Sequence, residues 1–345
     1  MGPEDPDPVG TLRRIAYLLE RAGAGTFRVR AFRHAADTVD GVDGDELRHR
    51  LAAGTLTELP GIGQRTAAVV ADVLAGRTPD YLVRLEAEAV GPVVAGGAAV
   101  RAALQGDLHL HSDWSDGGAP IPEMVATAVA LGHRYLALTD HSPRLRVANG
   151  LSAERLRQQL DVVAGINRAA PGIRVLTGIE VDILENGALD QDPDLLDRLD
   201  VVVASVHSKL RMPRDEMTRR MITALADRHV DILGHVTGRL ITGERGTRPE
   251  SAVDAGLVFE ACAHFGVAVE INSRPERLDP PRRLLREAVE IGCLFAIDTD
   301  AHAPGQLDWQ PYGCARAEDA GVPLERIVNT WDVADLLAWT HRRTG

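Results

Sequence analysis

Six apolar segments of this chain each end in a histidine or an acidic residue, and this repeated pattern constrains the fold more than any other feature. The endings are His109 and His111, Asp140 and His141, Glu180 and Asp182, His207, His235, and Asp300 and His302. In an extended strand, alternate side chains point to the same side, so His109 and His111 could bind one cation together. A regular series of this kind is hard to attribute to chance. It predicts strands that deliver metal ligands to one place.

Apolar strand candidates alternate with amphipathic stretches through the second part of the chain. The strand candidates lie near 105–110, 135–140, 174–180, 201–206, 231–234, 268–271 and 294–298, and the amphipathic stretches lie at 152–168, 214–228, 250–265 and 281–291. Strands joined by crossover helices indicate a parallel sheet of the α/β class, and α/β barrels carry functional residues at the carboxyl ends of their strands. Because ligands from the first and last strands must converge, we expect a closed or distorted (β/α) barrel.

Length and composition limit the class of protein. The 345 residues fit two domains, or a small domain and a barrel. We expect a cytoplasmic protein, because the chain has no long apolar run or secretion signal and only three cysteines, at positions 262, 293 and 314. The net charge of −12 argues against indiscriminate coating of nucleic acid, although it permits local contacts.

Residues 1–88 read as a domain of short helices, followed by an Ala-, Val- and Gly-rich connector at 89–104 and by the barrel at 105–345. Pro60-Gly61-Ile62-Gly63 precedes an alanine-rich helix and looks like a helix-hairpin-helix motif. In such a motif the glycines allow close backbone approach, and amides at the helix start bind DNA phosphates without reading sequence. The alternative is a plain tight turn between two packed helices.

Candidate DNA contacts in this domain are Gly61, Gly63, Arg28, Arg30, Arg33 and Arg65. Residues 1–88 contain eleven arginines and fourteen acidic residues, so any DNA-binding surface must be local. We therefore expect weak, sequence-independent binding.

The motifs of the second part resemble those of the polymerase and histidinol phosphatase (PHP) family. The matching motifs begin with His109-Leu-His-Ser-Asp-Trp-Ser-Asp116-Gly and end with Asp298-Thr-Asp-Ala-His302. The resemblance implies a distorted seven-stranded barrel that holds two or three divalent ions of zinc, manganese or iron. It also implies nine ligands: His109, His111, Asp116, His141, Glu180, His207, His235, Asp300 and His302.

Glu180 would bridge two metals and take part in catalysis. Some relatives have a histidine at the position of Asp116, which leaves the identity of the metal open. Asp140 and Asp182 could orient a ligand or cap a turn.

Three cations follow the strand ends and are candidates for binding the phosphate oxygens of a substrate during catalysis. They are Lys209, Arg239 and Arg274. Arginine can grip phosphate with two parallel hydrogen bonds, whereas lysine acts as a point charge.

The N-terminal motifs, together with Gly234-His-Val-Thr-Gly-Arg239, resemble bacterial family-X DNA polymerases. Between residues 88 and 105 there is no room for a polymerase core, so we expect no polymerase activity. Lys209 is the only lysine of the chain, so lyase chemistry through a Schiff base is not expected in the N-terminal domain.

The sequence thus favours a metal-dependent phosphoesterase acting on DNA in repair, as a 3′–5′ exonuclease, a 3′-phosphatase or an abasic-site endonuclease. The alternatives are a small-molecule phosphatase similar to histidinol phosphatase and a DNA-binding adaptor with a structural metal cluster.

Overall fold

The structure is a computed structural model that describes residues 7–169, 172–243 and 246–342. The chain forms two compact units, the first ending at Pro92 and the second beginning at Val93. This division falls within the stretch that the sequence predicts as a connector.

The first unit is helical. Its helices are α1 (Pro8–Arg21), α2 (Thr26–Asp40), α3 (Gly44–Ala53), α4 (Gln64–Leu74) and α5 (Asp80–Glu88), with a 3-10 turn at Leu56–Glu58. Leu12, Ile15 and Leu19 repeat at helical spacing along α1 and are buried against Phe32 and other apolar side chains of the unit.

A tight turn joins the Leu56–Glu58 segment to α4. Gly61 has a φ of +74°, a conformation that glycine adopts without steric cost. The Oγ1 of Thr38 donates to the carbonyl of Pro60 at 2.8 Å, which fixes the turn against α2. Helix α4 then begins after Gly63, whose amide donates to the Oγ1 of Thr66 at 2.9 Å.

The second unit is the (β/α) barrel expected from the sequence. Its strands are β1 (Gly106–Leu110), β2 (Tyr135–Leu138), β3 (Arg174–Asp182), β4 (Val201–Ser205), β5 (Ile232–Leu233), β6 (Ala268–Asn272) and β7 (Leu294–Asp298). Successive strands pair in parallel in the order of the sequence. Just beyond β7, Asp300 donates its amide to the carbonyl of His109 at 2.9 Å and His111 donates to Ala301 at 2.8 Å. These bonds close the sheet between its first and last strands.

Helices separate most of the strands and cover the barrel. They are α6 (Ala98–Ala103), α7 (Ile121–Ala130), α8 (Ala153–Ala169), α9 (Pro193–Leu196), α10 (Arg214–Leu225), α11 (Ala255–Phe265), α12 (Arg282–Ile291), α13 (Gln310–Ala320) and α14 (Val333–Arg342). Helix α6 lies in the predicted connector and packs against α13, so this part of the connector belongs to the second unit. Among the described helices, none has the length and apolar character needed to cross a membrane.

Every strand contributes to one buried apolar cluster. Its members include Leu108, Ala137, Leu176, Val203, Ile232, Ala268 and Ala296. A core filled by branched and small side chains is typical of α/β barrels. The packed core provides a rigid support for the residues that follow each strand.

Candidate metal centre

All nine predicted ligands occupy the carboxyl-terminal side of the barrel. His109 lies in β1, Glu180 lies in β3, and the remaining seven lie in the loops that follow the strands. The potential ligand atoms form three overlapping groups. The groups are His111, Asp116, His141 and His302; His109, His111 and Asp300; and His141, Glu180 and His207. His235 also belongs to the centre, because its imidazole contacts the carboxylate of Glu180.

Glu180 lies among five histidines, and the fifth, His111, has its Nε2 3.6 Å from Oε2 of Glu180. Its Oε2 lies 2.8 Å from Nδ1 of His141 and 3.4 Å from Nε2 of His109. Its Oε1 lies 3.0 Å from Nε2 of His235 and 3.2 Å from Nε2 of His207. The two carboxylate oxygens thus face different sets of imidazoles, which is the arrangement required of a carboxylate that bridges two ions.

Asp116 and Asp300 also face histidines of the centre. The Oδ1 of Asp116 is 3.3 Å from Nε2 of His302 and 3.5 Å from Nε2 of His141. The Oδ1 of Asp300 is 3.4 Å from Nε2 of His111. The centre therefore mixes imidazoles and carboxylates, a set that suits zinc or manganese better than calcium.

Several buried polar atoms in this centre have no hydrogen-bond partner among the described residues. They include Nε2 of His109, Nε2 of His111 and both carboxylate oxygens of Glu180. Leaving such atoms buried without a partner is costly, and native proteins rarely do so. Divalent cations would satisfy them, so the residues fit a metal cluster.

The electrostatics of the centre favour the ligating forms of several groups. Burial raises the pKa of Glu180, but His207, His109 and His141 outweigh burial and hold this pKa well below its usual range. Burial, with His302 and His141 nearby, holds the pKa of His111 well below its usual range. Neutral imidazoles and ionised carboxylates are the forms that bind metal.

Buried side chains around the centre fix the orientation of the ligands. Glu270 accepts a hydrogen bond from Nδ1 of His109, with 2.6 Å between Nδ1 and Oε1, so Nε2 of His109 faces the centre. Asn272 donates to Oδ2 of Asp300 at 3.2 Å. The sequence analysis missed Glu270, although a charged residue within the apolar segment Ala268–Asn272 is a signal that could have identified it.

Asp140 and Asp182 both contact segments that carry ligands. Asp140 accepts hydrogen bonds from the amide and hydroxyl of Ser112 at 2.8 and 2.6 Å, and therefore holds the turn that follows His111. The amide of His207 donates to Oδ1 of Asp182 at 3.1 Å. Of the two roles that the sequence left open, these contacts favour the orienting role.

Two buried aspartates join the first strand to the last. Thr299 donates its hydroxyl to Asp107 at 2.6 Å, and the amide of Leu108 donates to Asp298 at 2.8 Å. These reciprocal bonds bring His109 and Asp300 to the same point of the barrel.

The three predicted phosphate-binding cations lie in different environments. The Nη1 of Arg274 donates to the carbonyl of Asp300 at 2.8 Å and lies 2.9 Å from Nδ1 of His302, beside the centre. Lys209 is exposed and has a φ of +54°. Arg239 donates to the carbonyls of Arg277, at 3.0 Å, and of Leu278.

The contacts of Arg239 indicate that it stabilises the 277–278 turn instead of facing a substrate. A cation that the sequence analysis missed lies closer to the centre: the Nε of Arg277 is 3.2 Å from Oδ2 of Asp300.

The candidate DNA-binding residues of the first unit also lie in different environments. The guanidinium of Arg33 pairs with Glu20 at 2.8 and 3.0 Å, and these side chains are 11% and 2% exposed. This buried pairing corrects the prediction for Arg33, whose charge is already neutralised. Arg30 is exposed.

Tyr81 lies among three exposed arginines, Arg28, Arg65 and Arg84. Their Cζ atoms are 5.5, 5.4 and 5.1 Å from the ring centroid, respectively. We call these four side chains the Tyr81 surface. Arg84 was not among the predicted residues.

Comparison with known proteins gives one family match within each of the two units of the chain. Residues 107–274 match the PHP domain and residues 3–78 match a helix-hairpin-helix domain. The DNA polymerase/3′-5′ exonuclease PolX of Bacillus subtilis is 40% identical over 239 residues, which cover 69% of this chain and 41% of that protein. The chain thus spans about two-fifths of the length of this relative.

Other relatives are named as phosphatases. A probable phosphatase of a Thermoanaerobacter species is 27% identical over 240 residues, covering 65% of this chain and 89% of that protein. Among solved structures, histidinol phosphate phosphatase of Lactococcus lactis, complexed with zinc, L-histidinol and phosphate, is 20% identical with a TM-score of 0.44. The match covers 63% of this chain and 94% of the Lactococcus lactis chain.

Proposed function

Because this chain belongs to the PHP family of phosphoesterases, we propose that its metal centre hydrolyses phosphate esters of DNA. The reaction would be that of a 3′–5′ exonuclease, a 3′-phosphatase or an abasic-site endonuclease. The observation that carries the hydrolytic part of the proposal is the set of nine convergent ligands around the unsatisfied carboxylate of Glu180.

Two or three divalent ions of zinc, manganese or iron would occupy the three overlapping ligand groups. When bound, such ions neutralise the charge of a phosphate ester and act as Lewis acids at neutral pH. Glu180 would hold two of them through its separate oxygens, and His111 and His141 belong to more than one group.

The chain's own cations would bind the substrate phosphate. Arg274 lies beside the centre but already contacts Asp300 and His302, which hold its guanidinium in one place. Lys209 follows His207 by two residues and is exposed, so its ammonium group can approach a phosphate oxygen. These two side chains would orient the ester for hydrolysis.

The proposal for DNA relies on the first unit and on the match to the PolX relative. The Tyr81 surface offers three guanidinium groups to phosphates, and the side chain of Phe27 next to Arg28 is 90% exposed, as a base-stacking residue would be. At Gly63 a Cβ atom would meet nothing within 4 Å, so the backbone there is open to a close approach. Gly61 would contribute by shaping the turn.

A small-molecule phosphatase is the second candidate. All nine proposed ligands lie in the second unit, and this unit corresponds to most of the length of relatives named as probable phosphatases. Under this alternative the helical unit would act only as a scaffold or lid. A non-enzymatic DNA adaptor is not favoured, because the chain belongs to a family of hydrolases.

An activity panel distinguishes the candidates. The protein is incubated with Mn²⁺ or Zn²⁺ and with single-stranded DNA, DNA bearing a 3′-phosphate, abasic duplex DNA and histidinol phosphate. The proposal predicts release of product from at least one DNA substrate at a higher kcat/KM than from histidinol phosphate. Hydrolysis of histidinol phosphate without hydrolysis of any DNA substrate would establish the second candidate instead.

A further inference from the structure

A cavity of about 460 Å³ lies between the loop after β4 and the segment that precedes α11. Its walls include Leu210, Arg211 and Met212 from the first loop and Arg248 and Ala252 from the second. The volume lies within the range of roughly 300–1,000 Å³ that is usual for small-molecule sites. None of these residues is among the proposed ligands or the phosphate-binding cations.

The backbone places this cavity next to the metal centre. Leu210 follows the ligand His207 by three residues, and Gly238 follows the ligand His235 by three residues. A Cβ atom on Gly238 would lie 2.9 Å from the side chain of Leu210, so the two loops touch at this point. Three residues of chain span at most about 10 Å, so the Cα atom of Leu210 lies no farther than this from the Cα atom of the ligand His207.

The charge of the cavity selects its occupant. Arg211 is exposed, and Arg248 is held in place by a hydrogen bond from its Nε to the carbonyl of Gly238 at 2.6 Å. The acidic lining residue, Glu250, pairs with Arg283 outside the cavity lining and lies 3.8 Å from Arg239. The two lining arginines therefore favour an anion and disfavour a substrate whose leaving group carries an ammonium group.

The shape and apolar character of the walls add a second requirement. Leu210, Met212 and Ala252 provide apolar surface, and the thioether of methionine adapts readily to the face of an aromatic ring. A planar ring attached to an anionic group satisfies both the walls and the arginines. A nucleotide has this combination.

We propose that this cavity binds the nucleotide adjoining the reacting phosphate, with its base against Leu210 and Met212 and its next phosphate beside Arg211 and Arg248. This inference rests on the proposed DNA function and deepens it, because it assigns a substrate site that distinguishes nucleotide esters from simple phosphate esters. Lys209, between His207 and the cavity in sequence, would lie along the path of the substrate backbone.

Two phosphodiesters with the same leaving group test the cavity. The 5′-p-nitrophenyl ester of thymidine 3′,5′-bisphosphate carries a nucleoside and a second phosphate, and methyl p-nitrophenyl phosphate carries neither. Kinetics are measured for the full chain, for Ala252→Trp, which fills the cavity from an exposed position, and for Arg211→Ala, which removes a charge. Arg157→Ala, at an exposed position of α8 outside the cavity lining, is the matched control.

Arg211→Ala should raise KM for the thymidine ester about tenfold, the effect of losing one charge-assisted contact. Ala252→Trp should also raise this KM, because the indole would occupy the space of the base. Both variants should leave hydrolysis of methyl p-nitrophenyl phosphate unchanged. Arg157→Ala should leave hydrolysis of both esters unchanged. Equal effects on both esters, or no effect on either, would overturn the cavity while DNA hydrolysis by the unaltered protein would still support the proposed function. Hydrolysis of histidinol phosphate with none of DNA or of the thymidine ester would overturn both.

Discussion

The imidazole of His109 lies between two buried carboxylates, with its Nδ1 2.6 Å from Glu270 and its Nε2 3.4 Å from Glu180. Glu270 thereby determines which ring nitrogen carries the proton and leaves Nε2 available to a cation. A carboxylate in this position orients a metal-binding histidine and raises its basicity. The strength of the metal centre therefore depends on a residue that is not itself among the nine proposed ligands.

Replacement of Glu270 with Gln should weaken metal binding by about 10- to 100-fold, the usual effect of losing such an orienting partner. The amide nitrogen of Gln would face either Nδ1 of His109 or the backbone amide of His235, so one of these two donors would lose the carboxylate oxygen that accepts from it in the structure. Competition with a metal-binding dye measures the affinity, and circular dichroism checks the fold. Glu260→Gln, at an exposed position of α11, is the control. Unchanged metal affinity in Glu270→Gln would contradict the orienting role.

Metal binding should weaken as the pH falls. The pKa of His207 is about 9, because Glu180 and Asp182 favour its charged form and outweigh burial, which acts in the opposite direction. Below this pKa a metal ion must displace a proton from His207, so affinity should rise with pH up to about 9 and protons should be released on binding. Titration calorimetry at pH 7 in buffers of different ionisation enthalpy measures this release. A binding reaction that releases no protons would contradict this description of His207.

The ligands could be predicted from sequence because the carboxyl ends of parallel strands meet in a barrel. His109, His207 and His235 each stand at or just after a strand, so strand prediction alone brings them together. Partners of the arginines could not be predicted in this way. Arg33 and Arg239 have the same local signature as other candidate cations, and only tertiary packing directs them to Glu20 and to the 277–278 carbonyls.

The Tyr81 surface should contribute to DNA binding. Replacement of Arg28 and Arg65 with Ala should weaken binding of duplex DNA and reduce its salt dependence, because each lost phosphate contact lowers the slope of log K against log salt by about 0.9. Fluorescence anisotropy at several salt concentrations measures both quantities. Arg48→Ala, an exposed arginine of α3 outside this surface, should leave both unchanged. Identical DNA binding by the double variant would exclude the Tyr81 surface.

Arg33→Ala should affect stability instead of DNA binding. The variant removes the guanidinium that lies 2.8 Å from the carboxylate of Glu20, a side chain that is 2% exposed. Breaking a buried ion pair in this way costs about 3 kcal/mol. Chemical denaturation of the full chain should show a reduced free energy of unfolding for the helical unit. Unaltered stability together with weaker DNA binding would return Arg33 to the set of DNA contacts.

The most direct test of the central claim is to remove the metal with a chelator, add metal back, and measure hydrolysis of end-labelled DNA. Hydrolysis should be absent without metal, should appear as two or three equivalents of Mn²⁺ or Zn²⁺ bind, and should be largely lost in Glu180→Gln. Asp116→Asn should retain more activity, because Asp116 is 29% exposed and faces two histidines, whereas Glu180 is fully buried among its histidine neighbours. Hydrolysis by metal-free protein, or wild-type turnover by Glu180→Gln, would contradict the account.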